Sequence, residues 1–395
     1  MADENYDIHT LEDEEWNDDI IEELDVSSES EIIVFSRDWT VETILSQISK
    51  GNINLNPKFQ RRNAWNDTKR SRLIESLLLG VPIPEIILAE QPNKKKAYVV
   101  VDGKQRLLAI AGFINPDVYG SWEKPVLSKL INLSKLNKLS YSEMSVNGSE
   151  SEVQRSIMNS PMRCTIISHY ASEDVLYDIF NRINSGSVPL STQELRQALH
   201  AGDFSNFLVE YTNEERPIHE VLGSKGADRR LRDAELLLRY LAICLTPETY
   251  HGALKQFLDD ATIKFNNDWV AKKGDIYQCL RNSEIGCARL IKIFGDAKRV
   301  GRKHLGTKWE GRFNKSLFEA QLFYMSHVPQ DLFSQADLNE YLKDFKTLCT
   351  NDHEFVESIS STTKTKTKFE KRFRSIMKLT NSVFRSDIDE VPIKE

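Results

Sequence analysis

The sequence has no G-x-S-x-G elbow, no H-E-x-x-H pair and no Walker A lysine loop, which removes the commonest hydrolase, zinc-protease and P-loop signatures. Its five cysteines (Cys164, Cys244, Cys279, Cys287 and Cys349) are scattered, with no C-x-x-C spacing. That excludes a disulfide framework or a sequence-local zinc cluster and leaves reduced structural thiols as the expectation. No apolar run approaches the roughly 18 residues of a membrane span, and the N-terminus is acidic rather than basic-then-apolar. Neither a spanning helix nor a secretory signal is expected, and the reading is cytoplasmic.

Basic residues are absent from one stretch. Residues 1–31 hold 14 Asp and Glu and no Lys or Arg, so a chain of net charge -7 carries 52 basic against 45 acidic residues in the remainder. A basic body with an acidic arm suits a polyanion binder whose tail competes for the groove, or simply a disordered, solvated tail. With 40% hydrophobic residues the rest can bury a large core.

The pattern reads as α+β followed by helices. EIIVF (31–35) fits a short strand and TVETILSQISKG (40–51) a helix with Ile44, Leu45 and Ile48 on one face. A helix capped by Asn66 or Asp67 runs to Leu79 before GVPIP stops it. EIILAE (85–90) and AYVVVD (97–102) read as a hairpin, GKQRLLAIAGFI as the next helix and MRCTIIS (162–168) as a further strand. From 172 onward the periodicity is helical, with a capping box from Ser191 to Glu194. The expected divisions are an acidic tail at 1–31, an α+β domain at 32–200, a helical domain at 201–380 and a C-terminal tail at 381–395.

VVVDGKQRLLAIAGF (99–113) is the most informative stretch. A strand feeding directly into a helix leaves the first helical N–H groups and the positive end of the macrodipole pointing at the turn, a ready place for an anion. Gly103 lets a phosphate approach, Lys104 and Arg106 bring charge, and Gln105 offers an amide. Asp102 can hold Mg²⁺, accept from a ribose or orient a water; equally, it can merely cap the helix. In NPKFQRRNAW, Arg61 and Arg62 beside Trp65 suit phosphate and base, or a rim ion pair with the acids at 67 or 75. FNRINSGSVPLSTQELRQAL sets Asn184 before a Ser-Gly-Ser loop and Glu194 on a capped helix.

These three stretches, in this order and spacing, resemble the ParB/sulfiredoxin-like N-terminal domain of GmrSD-type modification-dependent restriction enzymes. The likeness covers most of residues 35–200 and continues more loosely through 229–242, 311–320 and 355–373. It implies a pocket for a nucleoside triphosphate with Mg²⁺ on an acid-Gly-x-Gln-Arg turn, in systems that defend against foreign DNA. By motif match Asp102, Gly103, Gln105, Arg106, Arg61, Asn184 and Glu194 carry over. Asp102 would handle metal or water, Glu194 would assist catalysis, and the others would hold phosphates. Lys104 departs from the usual glutamine, adding a cation where the family has none.

A separate nuclease motif is weak. SHVPQD (326–331) sets His327 and Pro329 at the wrong interval for H-x-x-P. RRLRDAELLLRY, KRVGRKH and TKTKTKFEKRFR could together form a DNA-contacting face on the helical domain, or a solvated surface. The expectation is a nucleotide-binding or nucleotide-hydrolysing protein that engages DNA or a partner nuclease. The alternatives are a non-catalytic DNA-binding regulatory module and a stand-alone Mg²⁺-dependent nuclease.

Overall fold

The computed structural model describes residues 32–55, 65–91, 94–145, 150–170, 175, 176, 179, 191–228, 230–360 and 365–393. They fall into two compact units, the first ending at Leu199 and the second beginning at His200. No described helix is long and apolar enough to cross a membrane.

The first unit is built on a mixed four-stranded sheet of order β1-β4-β2-β3. β1 (Ile33–Thr40) pairs antiparallel with β4 (Pro161–His169), β4 lies parallel to β2 (Ile86–Gln91), and β2 forms an antiparallel hairpin with β3 (Lys94–Asp102). β1 runs five residues beyond the EIIVF expected from the sequence. Its added residues Ser36, Arg37 and Asp38 are exposed on an edge strand, so polar side chains cost nothing there, and Asp38 forms a bidentate pair with Arg163 on β4 (3.0 and 3.1 Å).

The apolar run in β3 has a simple cause. Tyr98 and Val100 point into one core with Leu88 and Ile166, whereas Val99 and Val101 point into a second with Ile87, Ala89 and Ile167. A strand covered on both faces has no reason to alternate polar residues. The first core is closed by α1 (Val41–Ser49), α2 (Asp67–Leu78), α3 (Lys104–Ile114) and α4 (Glu152–Asn159), and the second by Leu176 and by Leu195 of α5 (Thr192–Leu199).

α3 is buried almost all round, from Arg106 to Phe113. A Cβ on Gly112 would lie 1.9 Å from Ser121 Oγ, so glycine here permits the close loop whose Ser121 Oγ and Trp122 Nε1 donate to the carbonyls of Leu108 and Ala109. The same loop region is tied to α2: Asp67 accepts from the backbone of Glu123 and Lys124, and Glu75 from Ile131, Asn132 and Leu133.

The second unit is helical. α6 (Asp203–Tyr211), α7 (Pro217–Leu222), α8 (Arg232–Leu245), α9 (Leu254–Asn267) and α10 (Trp269–Phe294) are followed by α11 (Lys315–His327), α12 (Gln330–Gln335), α13 (Leu338–Asn351), α14 (His353–Ser360) and α15 (Lys366–Phe384). α8, α11 and α15 meet at a buried ionic cluster. Arg239 pairs with Glu235 (2.9 Å) and Glu319 (3.4 Å), Arg372 pairs with Glu319, and Lys315 lies 3.7 Å from Glu235. Three of the loosely similar segments noted in the sequence thus converge on one set of charges.

Candidate functional site

The strand-to-helix turn occupies the end of β3. Gly103 adopts φ +95°, a left-handed conformation that side chains resist, and a Cβ there would come within 2.5 Å of Ile86 Cδ1. Glycine is therefore demanded by the backbone and by β2, besides any approach of a ligand. As the residue before α3 it supplies no side-chain cap. Asp102 partly fills that role, its Oδ1 accepting the Gly103 N–H at 2.6 Å.

Asp102 Oδ2 accepts from Arg106 Nη2 at 2.9 Å, and the same nitrogen donates to the Glu85 carbonyl at 2.9 Å. Arg106 is 8% exposed. Its guanidinium thus braces the turn against the start of β2 rather than standing open as a phosphate fork. Two buried atoms next to this brace have no protein partner: Arg106 Nε, a donor, and Gln105 Oε1, an acceptor. Buried polar atoms are nearly always satisfied, so such a pair beside a turn is unusual.

α5 brings the third motif to the second. Leu195 packs under Val99 and Val101, which fixes the start of α5 at the β3 end of the sheet. Ser191 and Glu194 form the expected capping box: the Ser191 N–H donates to Glu194 Oε2 (2.7 Å) and the Glu194 N–H to Ser191 Oγ (3.1 Å). Glu194 also acts electrostatically on Lys104. Loss of water pushes the Lys104 ammonium below its ordinary value, and the Glu194 carboxylate pulls it part-way back. Gln197, one turn after Glu194, is buried with Nε2 lacking a protein partner. The sequence reading did not single it out; its signal was the polar i, i+3 pair on a short capped helix.

Arg61, Arg62 and Asn184 lie outside the described residues. The acids offered as rim partners for the arginines are engaged elsewhere, since Asp67 pairs with Arg70 and receives two backbone N–H groups while Glu75 receives three. Trp65 is described, with the Lys69 ammonium 4.6 Å from its ring centroid.

Among the described residues, the basic stretches of the second unit are largely engaged with acids and carbonyls of the same unit. Arg230 is buried, and Arg232 pairs with Asp228 at 2.8 Å; Arg229 lies outside the described residues. Asp228, held below the usual carboxylate range by Arg232 despite its burial, is the nearby acid that offsets cations at a helix start. In KRVGRKH, Arg299 donates to the Phe294 carbonyl, Arg302 to those of Val300 and Gly311, and Lys303 to Ser360 Oγ. Along α15, Lys366 pairs with Glu370, Lys368 with Glu357, Lys371 with Asp352 and Glu354, and Arg374 with Glu390.

His327 is exposed at the end of α11, its Nδ1 2.7 Å from the Phe323 carbonyl and its ring tilted over Phe323. Among the described residues no three His, Cys, Asp or Glu side chains converge on a metal position.

The first unit is thus an α+β domain with a glycine-hinged turn, a braced acid–arginine pair and a lysine set against a glutamate. Residues 41–201 match the model of the GmrSD restriction endonuclease, N-terminal domain, and that stretch is similar to the family. No curated protein matches the chain.

Proposed function

We propose that the first unit, whose fold we read as ParB/sulfiredoxin-like, binds the phosphates of a nucleoside triphosphate at the β3–α3 turn, as part of a DNA-restriction or defence system acting in the cytoplasm with DNA or a partner nuclease. The observation that carries this is that Gln105 Oε1 and Arg106 Nε are buried without protein partners at the turn, beside the Lys104 ammonium in the field of Glu194. A desolvated ammonium gains most from an anion, because burial removes the water that would otherwise compete for it.

The donor set fits phosphate better than it fits a metal on Asp102. Both oxygens of that carboxylate are engaged, one by the Gly103 N–H and one by Arg106, and a divalent cation would sit against a guanidinium. Mg²⁺ accompanying a triphosphate belongs on the phosphates, where it would neutralise charge between them. In this reading Lys104 and the first turn of α3 hold phosphate, Arg106 positions the turn through Asp102, and Gln105 orients a polar group of the ligand.

Binding without turnover is the second reading, favoured by one observation: Glu194 Oε2 is committed to the Ser191 N–H, and its charge faces Lys104. A carboxylate so engaged is a poor general base. A thermal-shift screen of the ribonucleoside triphosphates, with and without Mg²⁺, tests the binding. A ligand at about 100 times its dissociation constant stabilises the fold by roughly 2.7 kcal/mol. No shift with any nucleotide overturns the proposal, and phosphate release measured on the stabilising nucleotide decides between hydrolysis and binding alone.

A further inference from the structure

Between α3 and α4 the chain has a short internal period. Residues 128–139 read SKL, INL, SKL, NKL, with a leucine at every third place from Leu127 to Leu139 and a lysine or asparagine just before four of them. Leu127 and Leu130 are buried in the first core, and Leu133, Leu136 and Leu139 pack against it. Lys129, Asn132, Lys135 and Lys138 are exposed, as is Lys124 just ahead of the loop. The Leu127 N–H donates to the Leu139 carbonyl (3.0 Å) and the Lys138 N–H to the Leu127 carbonyl (2.7 Å), which closes the loop's ends on each other. Its middle is held to α2, where Glu75 receives the N–H groups of Ile131, Asn132 and Leu133.

The outer side of this loop is basic and not neutralised. Residues 124–142 contain four lysines and no Asp or Glu. Among the described residues none of the four has an ion-pair partner, in contrast to the lysines of α15. Asp67 and Glu75, the acids to which the loop is tied, engage its backbone N–H groups instead. Lys129 (φ +55°) and Lys138 (φ +72°) hold left-handed backbone, where glycine or asparagine sits with less strain. What lysine adds at such a place is its charge.

We infer that this leucine-anchored loop is the surface on which the first unit meets the phosphate backbone of duplex DNA, an inference that rests on reading the chain as part of a DNA-restriction system. A loop already closed and anchored in the core presents its cations without ordering any backbone on binding. Ser128, Asn132 and Ser134 supply the short polar side chains that accompany lysine on phosphates. Among the described residues of the loop, Ile131 is the one large hydrophobic side chain that is exposed. A single isoleucine is too little apolar surface to hold a lipid interface, so the charge is matched to DNA rather than to an anionic membrane.

The test is fluorescence anisotropy of a labelled DNA duplex of about 30 base pairs with the full chain, between about 50 and 200 mM salt. The loop variant combines Lys124→Gln, Lys129→Asn, Lys135→Gln and Lys138→Asn, since asparagine tolerates the left-handed backbone. A control changes four exposed lysines of the second unit, Lys225, Lys273, Lys308 and Lys343, to glutamine, with the same loss of charge. In the loop variant affinity should fall at least about tenfold at low salt, and the slope of log affinity against log salt should shrink by up to about 3.6, at about 0.9 per neutralised phosphate. Should the combined variant not fold, Lys135→Glu alone, on an exposed turn, gives the same readout on a smaller scale. A loop variant that binds as tightly as the control overturns the inference, as does a wild type that does not bind DNA at the lowest salt or that binds phosphatidylserine vesicles in its place. The triphosphate-induced thermal shift is scored separately. Loop-dependent DNA binding without that shift fails the nucleotide pocket alone, and an intact shift with loop-independent DNA binding fails this inference alone.

Discussion

Arg106 Nη2 lies 2.9 Å from Asp102 Oδ2 and 2.9 Å from the Glu85 carbonyl, so a single nitrogen joins the end of β3, the start of β2 and the first turn of α3. Replacing Arg106 with alanine therefore removes a structural brace as well as any ligand contact. We expect Arg106→Ala to lower stability by about 2 kcal/mol, the scale of a charge-assisted hydrogen bond lost from a largely buried place. Urea denaturation checks this. A variant as stable as the wild type would mean the brace contributes nothing and Arg106 is free to serve a ligand.

Gly103→Ala should cost about 1–3 kcal/mol, from the left-handed backbone and from the Ile86 contact. The two causes separate in a double-mutant cycle. Ile86→Val removes the Cδ1 atom that would stand 2.5 Å from the new alanine Cβ, so the pair of changes together should cost less than their sum. Additive melting temperatures would assign the whole effect to the backbone.

Lys104 gives a pH signature with a definite sign. Its folded value lies below the ordinary 10.5, so in the interval between the two the unfolded chain binds more protons. Stability contributed at this position is lost as pH falls through the interval and recovered as pH rises toward 10.5. Lys104→Met keeps the aliphatic stem without the charge. The wild type minus Lys104→Met stability difference should thus grow in favour of the wild type with rising pH, as measured by denaturation at several pH values. A flat difference would show that the ammonium is fully solvated. Nucleotide affinity should move oppositely, weakening as pH rises and the ammonium deprotonates, which calorimetric titration would detect.

In the helical unit, Glu319 faces two arginines, Arg239 and Arg372, with all three side chains at most 2% exposed. Glu319→Ala should destabilise the unit by about 3–5 kcal/mol, because it leaves two guanidinium groups buried with too little negative charge. Loss of the cooperative unfolding transition, or its shift to much lower urea, is the expected readout. A change under about 1 kcal/mol, the size usual for an exposed pair, would mean that water reaches the cluster.

Local chemistry was readable from the chain, and meetings between distant segments were not. The β3–α3 turn, the Ser191–Glu194 capping box and the helical run after residue 200 each rest on residues a few positions apart, where propensity and hydrogen-bonding rules act directly. β4 entering between β1 and β2 depends on which apolar faces cover one another, and its own sequence is equally suited to other places in a sheet. The same limit hid Lys104 in the field of Glu194 and the acids that pair along α15. A basic run shows its charge in the sequence, but Glu354, Glu357 and Glu390 meet it only through the fold.

The position of β4 also governs how the first unit comes off the ribosome. β1 emerges early and has no hydrogen-bonding neighbour until β4 has been made, although the β2–β3 hairpin can close meanwhile. At ordinary translation rates this leaves the exposed Ile33 and Val34 edge unpaired for on the order of ten seconds. A nascent chain halted before residue 161 therefore holds an orphan strand and a lone hairpin, and the sheet assembles only as synthesis passes through β4.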